Sequence, residues 1–320
     1  MHAIVVTTPG GSDALDYAEV PDPVPGAGEV LVDVAAAGVN FIDVYRREGR
    51  YPIKTPFVLG SEGAGTVTAV GPDVRGVAIG DRVGWCDGLG GYAEKVVVPA
   101  ERTIPLPDGV DFERAAAVLL QGLTAHYLTH SVHAVSPGDD VLVHAAAGGM
   151  GLLLTQMAKL RGGRVIGTVS TDEKQKLARE AGADDVIRYE NFDKKVRGLT
   201  GGRGVRVVYD GVGAATFDGS LASLGVRGMM ALYGAASGPV PPFDPQRLNA
   251  AGSLFLTRPT LAHYTVTREE LLGRAADVLG WVESGRLHVH ISHRYPLARV
   301  RQAHEDLEGR RTTGKLLLIP

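Results

Sequence analysis

At 320 residues the chain exceeds the size at which single hydrophobic cores stop growing, so two domains are the better expectation. Hydrophobic residues make up 44% and charged residues 22%, as in ordinary globular proteins, and a net charge of −3 gives no electrostatic case for nucleic acid or an anionic membrane surface. The lone cysteine, Cys86, excludes an intramolecular disulfide and an all-thiolate zinc site, and with no leader pattern and no long apolar run a cytoplasmic protein is expected.

Residues 1 to about 110 read as β-rich. Short β-branched runs predict strands over 1–7, 30–36, 63–70, 81–85 and 93–98, separated by Gly, Pro and Asp, while Pro21, Pro23 and Pro25 hold the first connection extended. The exception is 40–48, where Phe41, Val44 and Tyr45 share one helical face and a short helix would aim polar residues inward. From Asp111 the period changes. Asp111 caps a helix predicted over 112–118, Gln121-Gly-Leu-Thr124 opens a second one ending near 135, and Ser136-Pro-Gly-Asp139 turns into a strand beginning at Val141. A helix follows that strand. Strands over 164–169, 185–189, 205–209 and 225–233 and a helix over 172–181 then continue an alternation that predicts an α/β, doubly wound parallel sheet over about 121–260. Helices over 268–284 and 298–308 and a final strand over 315–319, expected to return to the β-rich module, close the chain.

The turn between the strand at Val141 and its helix carries the most chemistry. Laid on G-x-G-x-x-G, it places Ala146, Gly148 and Gly151 at the three glycine positions. Gly148 would let the backbone approach a pyrophosphate, Gly151 would let the helix pack against the strand, and the helix N-terminus would supply N–H groups. Ala146 departs from the pattern, and an ordinary tight strand-to-helix turn is the alternative. The next predicted strand ends in Ser170-Thr-Asp-Glu-Lys174, where NAD-binding turns present an acid to the ribose 2′-hydroxyl. Ser170 does not repel a 2′-phosphate, and Lys174 stands one turn into the helix as a point charge for it. Asp172 and Glu173 add opposing charge, which leaves a relaxed cofactor preference open.

Six segments in order, Gly38-Val-Asn-Phe-Ile-Asp43, Gly60-Ser-Glu-Gly-Ala-Gly65, Gly80-Asp-Arg-Val83, Gln121-Gly-Leu-Thr124, Ala145-Ala-Ala-Gly-Gly-Met-Gly151 and Val207-Val-Tyr-Asp210, resemble the zinc-free quinone oxidoreductases of the medium-chain dehydrogenase/reductase superfamily. The likeness continues through Thr257-Arg-Pro259 to Thr313-Gly-Lys-Leu316. It implies a GroES-like β-rich domain over 1–120, completed by 261–320, a Rossmann domain over 121–260, and a site in the cleft between them. It also implies NADPH as cofactor, a small-molecule quinone or enone as acceptor, and a homodimer joined through Rossmann edge strands. Zinc-dependent relatives use Cys at the position of Asn40 and His in the segment Gly60-Ser61-Glu62, and Asn with Ser cannot replace thiolate and imidazole. His126, His130 and His133, and the group His288, His290 and His293, are read as ordinary solvated or neighbour-bonded histidines, so no metal is expected.

Carried over residue by residue, the resemblance assigns cofactor contacts to Asn40, Asp43, Tyr45, Thr124, Gly148, Gly149, Met150, Gly151, Ser170, Lys174, Tyr189, Gly213, Tyr233, Gly234, Ala235, Phe255, Thr257 and Lys315. Tyr45, Tyr51, Gln121 and Arg258 are expected to line the acceptor site, with Asn40, Tyr45 and Tyr51 closest to the chemistry. Hydride passes straight from nicotinamide to acceptor, so the protein's part is orientation, exclusion of water and polarisation of the acceptor oxygen. Two further readings stay open: an NADPH-dependent C=C reductase of enals or enones, and a non-catalytic, crystallin-like NADPH-binding protein.

Overall fold

The valines of residues 30–34 alternate with half-buried or exposed neighbours, and that period of two makes the longest strand of the chain. In the computed structural model, which describes Met1–Pro320, the chain divides into two units. One comprises Met1–Leu123 with Tyr264–Pro320, the other Thr124–His263. The N-terminal stretch forms β1 His2–Val6, β2 Asp16–Glu19, β3 Glu29–Val39, α1 Phe41–Arg47, β4 Phe57–Val58, β5 Glu62–Val70, β6 Arg82–Cys86, β7 Lys95–Pro99 and β8 Ile104–Pro105. β3 pairs antiparallel with β5 and β7, with two register shifts against β5 that bend it. Val30, Val32, Val34, Val67, Val83, Val96 and Val98 fill the core beneath these strands.

After Asp111 a single helix, α2 Phe112–Tyr127, replaces the two predicted ones. Nothing between Val118 and Gln121 breaks a helix, and Gly122 alone costs only about 1 kcal/mol against Ala, too little to end one inside a packed run. A five-residue π-turn, Leu128–Val132, finishes it. Then come β9 Asp140–Val143, α3 Gly149–Leu160, β10 Arg164–Val169, α4 Asp172–Glu180, β11 Asp185–Arg188, α5 Phe192–Leu199, β12 Val205–Asp210, α6 Phe217–Ser223, β13 Leu224–Leu232, α7 Gln246–Ala250 and β14 Phe255–Thr257. All pair in parallel in the order β11-β10-β9-β12-β13-β14, which is Rossmann order. Helices cover such a sheet on both faces, so its central strand is continuously apolar: Val141, Leu142 and Val143 are fully buried. Each contributes roughly 1.5–3 kcal/mol by leaving water. The helices α6 and α7 and the strand β14 are not marked by any clear sequence period, whereas α5, absent from the predicted elements, carries Phe192, Val196 and Leu199 at i, i+4 and i+7 with the first two buried.

The chain then forms α8 Arg268–Glu283, β15 Ile291–Pro296, α9 Val300–Glu308 and β16 Lys315–Ile319. Thr267 caps α8 in a capping box with Glu270. As expected, the last strand joins the β-rich unit: β16 pairs antiparallel with β3, Leu316 opposite Val39, and parallel with β15. No helix is long and apolar enough to cross a membrane.

A buried clamp ties α1 to α9. Arg47 donates to both Glu308 carboxylate oxygens, to the Gly10 carbonyl and, at 3.1 Å, to His304 Nδ1. Burial, reinforced by the Arg47 charge, depresses His304 to about 3. Because folding lowers this pKa, the contribution is fully present above the ordinary histidine value near 6.5 and is lost as pH falls toward about 3. At pH 5 it should remove about 2 kcal/mol of stability relative to neutral pH. Urea unfolding at pH 7 and pH 5 checks this: His304→Gln should lose that part of the acid slope, and an unchanged slope would refute it.

Candidate active site

Asn40 follows β3 and N-caps α1, whose first turn faces inward. Its backbone N–H donates to Asp43 Oδ2 at 3.0 Å, and Asp43 also accepts from Tyr92 Oη at 2.7 Å and from Ser61 Oγ. Arg46 Nη1 donates to Ser61 Oγ at 2.7 Å. Burial pushes the Asp43 carboxyl up, against the pull of Ser61 and Tyr92. The Asn40 side chain takes two donors on one atom, Lys315 Nζ at 2.8 Å and Gln121 Nε2 at 3.1 Å. Lysine has donors only, so that atom is Oδ1. Nδ2 therefore points the other way, one hydrogen reaching the Gly38 carbonyl at 3.3 Å and the other without a protein acceptor.

Lys315 is itself anchored. Its ammonium lies 2.7 Å from Glu62 Oε1, and Glu62 Oε2 accepts the Leu120 N–H at 3.0 Å. Burial drives the Glu62 carboxyl up while Lys315 pulls it down. The carboxylate fits because residue 38 is glycine: a Cβ there would stand 2.2 Å from Glu62 Oε1 and 2.4 Å from the Ala116 carbonyl oxygen. Beyond Asn40 on α1, Tyr45 is buried, with Tyr51 at 6.3 Å between ring centroids and the Arg50 guanidinium 5.1 Å above its ring. Tyr51 is exposed. The structure thus gathers Asn40, Asp43, Gln121 and Lys315 into one network, with Tyr45 and Tyr51 as an aromatic pair.

In the second unit, His144 follows β9 and the chain turns through Ala145 in left-handed conformation, φ 50°. Gly151 presses the turn: a Cβ would meet the Ala145 carbonyl oxygen at 2.2 Å. Gly148 caps α3 without a side chain, so no side-chain oxygen takes up the N–H groups of its first turn, Gly149, Met150 and Gly151. By contrast α4 is capped by the Thr171 hydroxyl. A helix N-terminus without a side-chain cap, at the switch point between β9 and β12, has the chemistry to accept an anion.

A buried network holds both lips of that switch point. Asp210, ending β12, accepts from Val212 and Gly213 N–H on Oδ1, and from Thr216 Oγ1 and Ser220 Oγ on Oδ2. Ser220 donates to Asp210, so toward His144 Nε2, 2.9 Å away, it accepts; Thr168 Oγ1, 2.9 Å from Nδ1, then donates. His144 is therefore the Nε2–H tautomer. Burial holds its pKa down, opposing Asp210.

Toward the expected ribose end, Ser170 is exposed, Lys174 lies one turn into α4, and Tyr189 Oη accepts the Ala145 N–H at 3.0 Å, fixing the ring to the turn. The loops after β12 and β13 are laced together: the Tyr233 ring and Gly234 both lie against Gly211, and Ala235 lies beside Gly213. Arg258 donates to the Tyr233 carbonyl at 3.0 Å. Thr124 sits on α2, Thr257 ends β14, and Phe255, 57% exposed, lies on the sheet edge away from the turn.

Two family models match the chain: an alcohol dehydrogenase GroES-like domain over residues 26–108 and a zinc-binding dehydrogenase domain over 149–278. The quinone oxidoreductase of Pseudomonas aeruginosa is 45% identical over 97% of each chain. A Burkholderia 2-haloacrylate reductase is 42% identical over 99% of this chain and 98% of its own. A mycobacterial protein solved in complex with NADPH superposes with a TM-score of 0.98, at 56% identity and with both chains fully covered. The chain belongs to the quinone oxidoreductase family.

Within this family of medium-chain dehydrogenases/reductases, the donor set distinguishes the chain from zinc-dependent members. At the two ligand positions stand Asn40 and Ser61, committed to Lys315, Gln121, Arg46 and Asp43, and no three His, Cys, Asp or Glu side chains are gathered to hold a metal ion. Cys86 is buried and its thiol is pushed up by burial and by Glu62. Sequence reasoning did not single out Glu62, His144, Thr168, Ser220 or Arg188. The quinone oxidoreductase motif contains Glu62, but only its partner 253 positions away, seen across the β3–β16 pairing, reveals a role.

Proposed function

We propose that the chain is a metal-independent NADPH:quinone oxidoreductase. The bare α3 N-terminus fits a diphosphate, and Ser170 with Lys174 and Tyr189 fits a 2′-phosphate better than a 2′-hydroxyl. When bound, the dinucleotide supplies the hydride. The chain's own residues do the rest: Gly149, Met150 and Gly151 hold the diphosphate, and Tyr45 and Tyr51 offer aromatic faces to a flat acceptor.

The observation that carries the reading is the orientation of Asn40. Lys315 and Gln121 both draw on Oδ1, which polarises the amide and strengthens the remaining Nδ2–H as a donor. That hydrogen is placed to meet an acceptor oxygen as negative charge develops on it, a part a metal plays in zinc-dependent relatives. A proton from water completes the quinol. Gln121, held against Asn40, completes the acceptor lining on this unit, and a reducing cytoplasmic setting suits the buried Cys86 thiol. We also assign a homodimer joined through β14, a three-residue edge strand that exposes Phe255.

A second reading, reduction of a C=C bond, is favoured by the relative named 2-haloacrylate reductase. Steady-state assays of quinones and enones with NADPH and NADH decide between them. Quinones are expected to turn over fastest with NADPH, and Asn40→Ala should lower kcat by about 100-fold, as for loss of one oxyanion donor. Faster enone turnover would install the second reading, and an NADPH-binding chain that reduces neither would install a non-catalytic one.

A further inference from the structure

We propose that Arg188 is a second cation for the 2′-phosphate of NADPH, anchored at the Thr171 carbonyl and engaged by Asp172 until the phosphate displaces it; the proposal rests on the NADPH reading above. The β10–β11 register pairs Val169 with Arg188, so the last residue of β11 emerges beside Ser170, the position where a Rossmann fold discriminates the ribose 2′ substituent. Its guanidinium lies over the segment that follows Ser170, Nη1 donating to the Thr171 carbonyl and Nη2 to Asp172 Oδ1. The Thr171 contact anchors one arm of the fork at the rim of the site. The Asp172 contact occupies the other.

That second contact is exchangeable. Asp172 is fully exposed, the Arg188 side chain is 34% exposed, and an ion pair so open to water contributes little. A phosphate offers the guanidinium two parallel acceptors and more charge than a carboxylate. The Thr171 contact thus keeps the fork at the rim, and Asp172 competes weakly with the ligand for its second arm. It also accounts for acids sitting within a site for an anion: Asp172 is spoken for by Arg188. Lys174 supplies a point charge from the helix side and Arg188 a planar fork from the strand side.

Two single substitutions with opposite expected signs test this by fluorescence titration of NADPH and NADH. Arg188→Gln should weaken NADPH by at least about tenfold and leave NADH within about twofold, the size of one lost charge-assisted contact. Asp172→Asn, which frees the fork, should tighten NADPH about threefold and leave NADH unchanged. Both positions are exposed, and thermal melts of the two variants would report any loss of fold separately. Unchanged NADPH affinity in Arg188→Gln, equal weakening of both dinucleotides, or weaker NADPH binding in Asp172→Asn would overturn the assignment of Arg188. A wild-type chain that binds NADH as tightly as NADPH would instead overturn the NADPH reading, with Lys174→Ala equally silent.

Discussion

Lys315→Met is expected to destabilise the protein by about 3–5 kcal/mol, the cost of removing one partner of a buried ion pair and leaving the other charge uncompensated. Lys315 is 2% exposed and Glu62 fully buried, so no water replaces the lost ammonium. Methionine matches the length and apolar stem of lysine, which confines the loss to the charge and its contacts. Urea unfolding provides the measurement, with a second variant to separate charge from packing. In Lys315→Met/Glu62→Gln the uncompensated charge is gone, and most of the lost stability should return. The single variant should also recover partly as pH falls: burial already raises Glu62, and protonation removes the charge that Lys315 no longer balances. Equal stability of the single and double variants would show that the pair is not what holds this end of β16. Hydride transfer should fall in both, because neither keeps the second donor on Asn40 Oδ1.

His144→Leu is the second large effect. It leaves Thr168 Oγ1 without a partner and takes from Ser220 the donor that its hydroxyl accepts, both in a fully buried setting. At roughly 1–3 kcal/mol per unsatisfied buried group, a loss of about 2–4 kcal/mol is expected. Dinucleotide affinity should drop with it, since His144 ties the start of the fingerprint turn to Asp210 and through it to the N–H groups of Val212 and Gly213. His144→Gln, which can still offer a donor toward Ser220, should retain more of both. Thermal unfolding with dinucleotide titration of the two variants tests this. A Leu variant as stable as wild type would mean that the network is incidental.

What could be read along the chain was what is local. The strand 164–169 matches β10 end for end, and the helix 172–181 overshoots α4 by one residue, because a Gly-bounded β-branched run and a capped amphipathic segment carry their own signals. The two helices expected after Asp111 are one, since a single Gly does not interrupt a packed helix. β14 is three residues long and α7 five, too short to show a period. Arg188 fell into the same gap. As a letter it is one arginine among many, and only its register against Val169 puts it beside Ser170.

By itself, then, the sequence determined the α/β class, the alternation that makes a parallel sheet, the uncapped glycine turn and the absence of zinc-type donors at residues 40 and 61. Those are properties of neighbouring residues or of residue chemistry. Only the tertiary structure decided which way the Asn40 amide faces and what makes it face that way. The lysine that settles it is 275 positions distant, brought in by the antiparallel pairing of β16 with β3. Donor and acceptor types are written in the chain, but the pairing of groups far apart in it is created by the strand register that burial of the apolar faces selects.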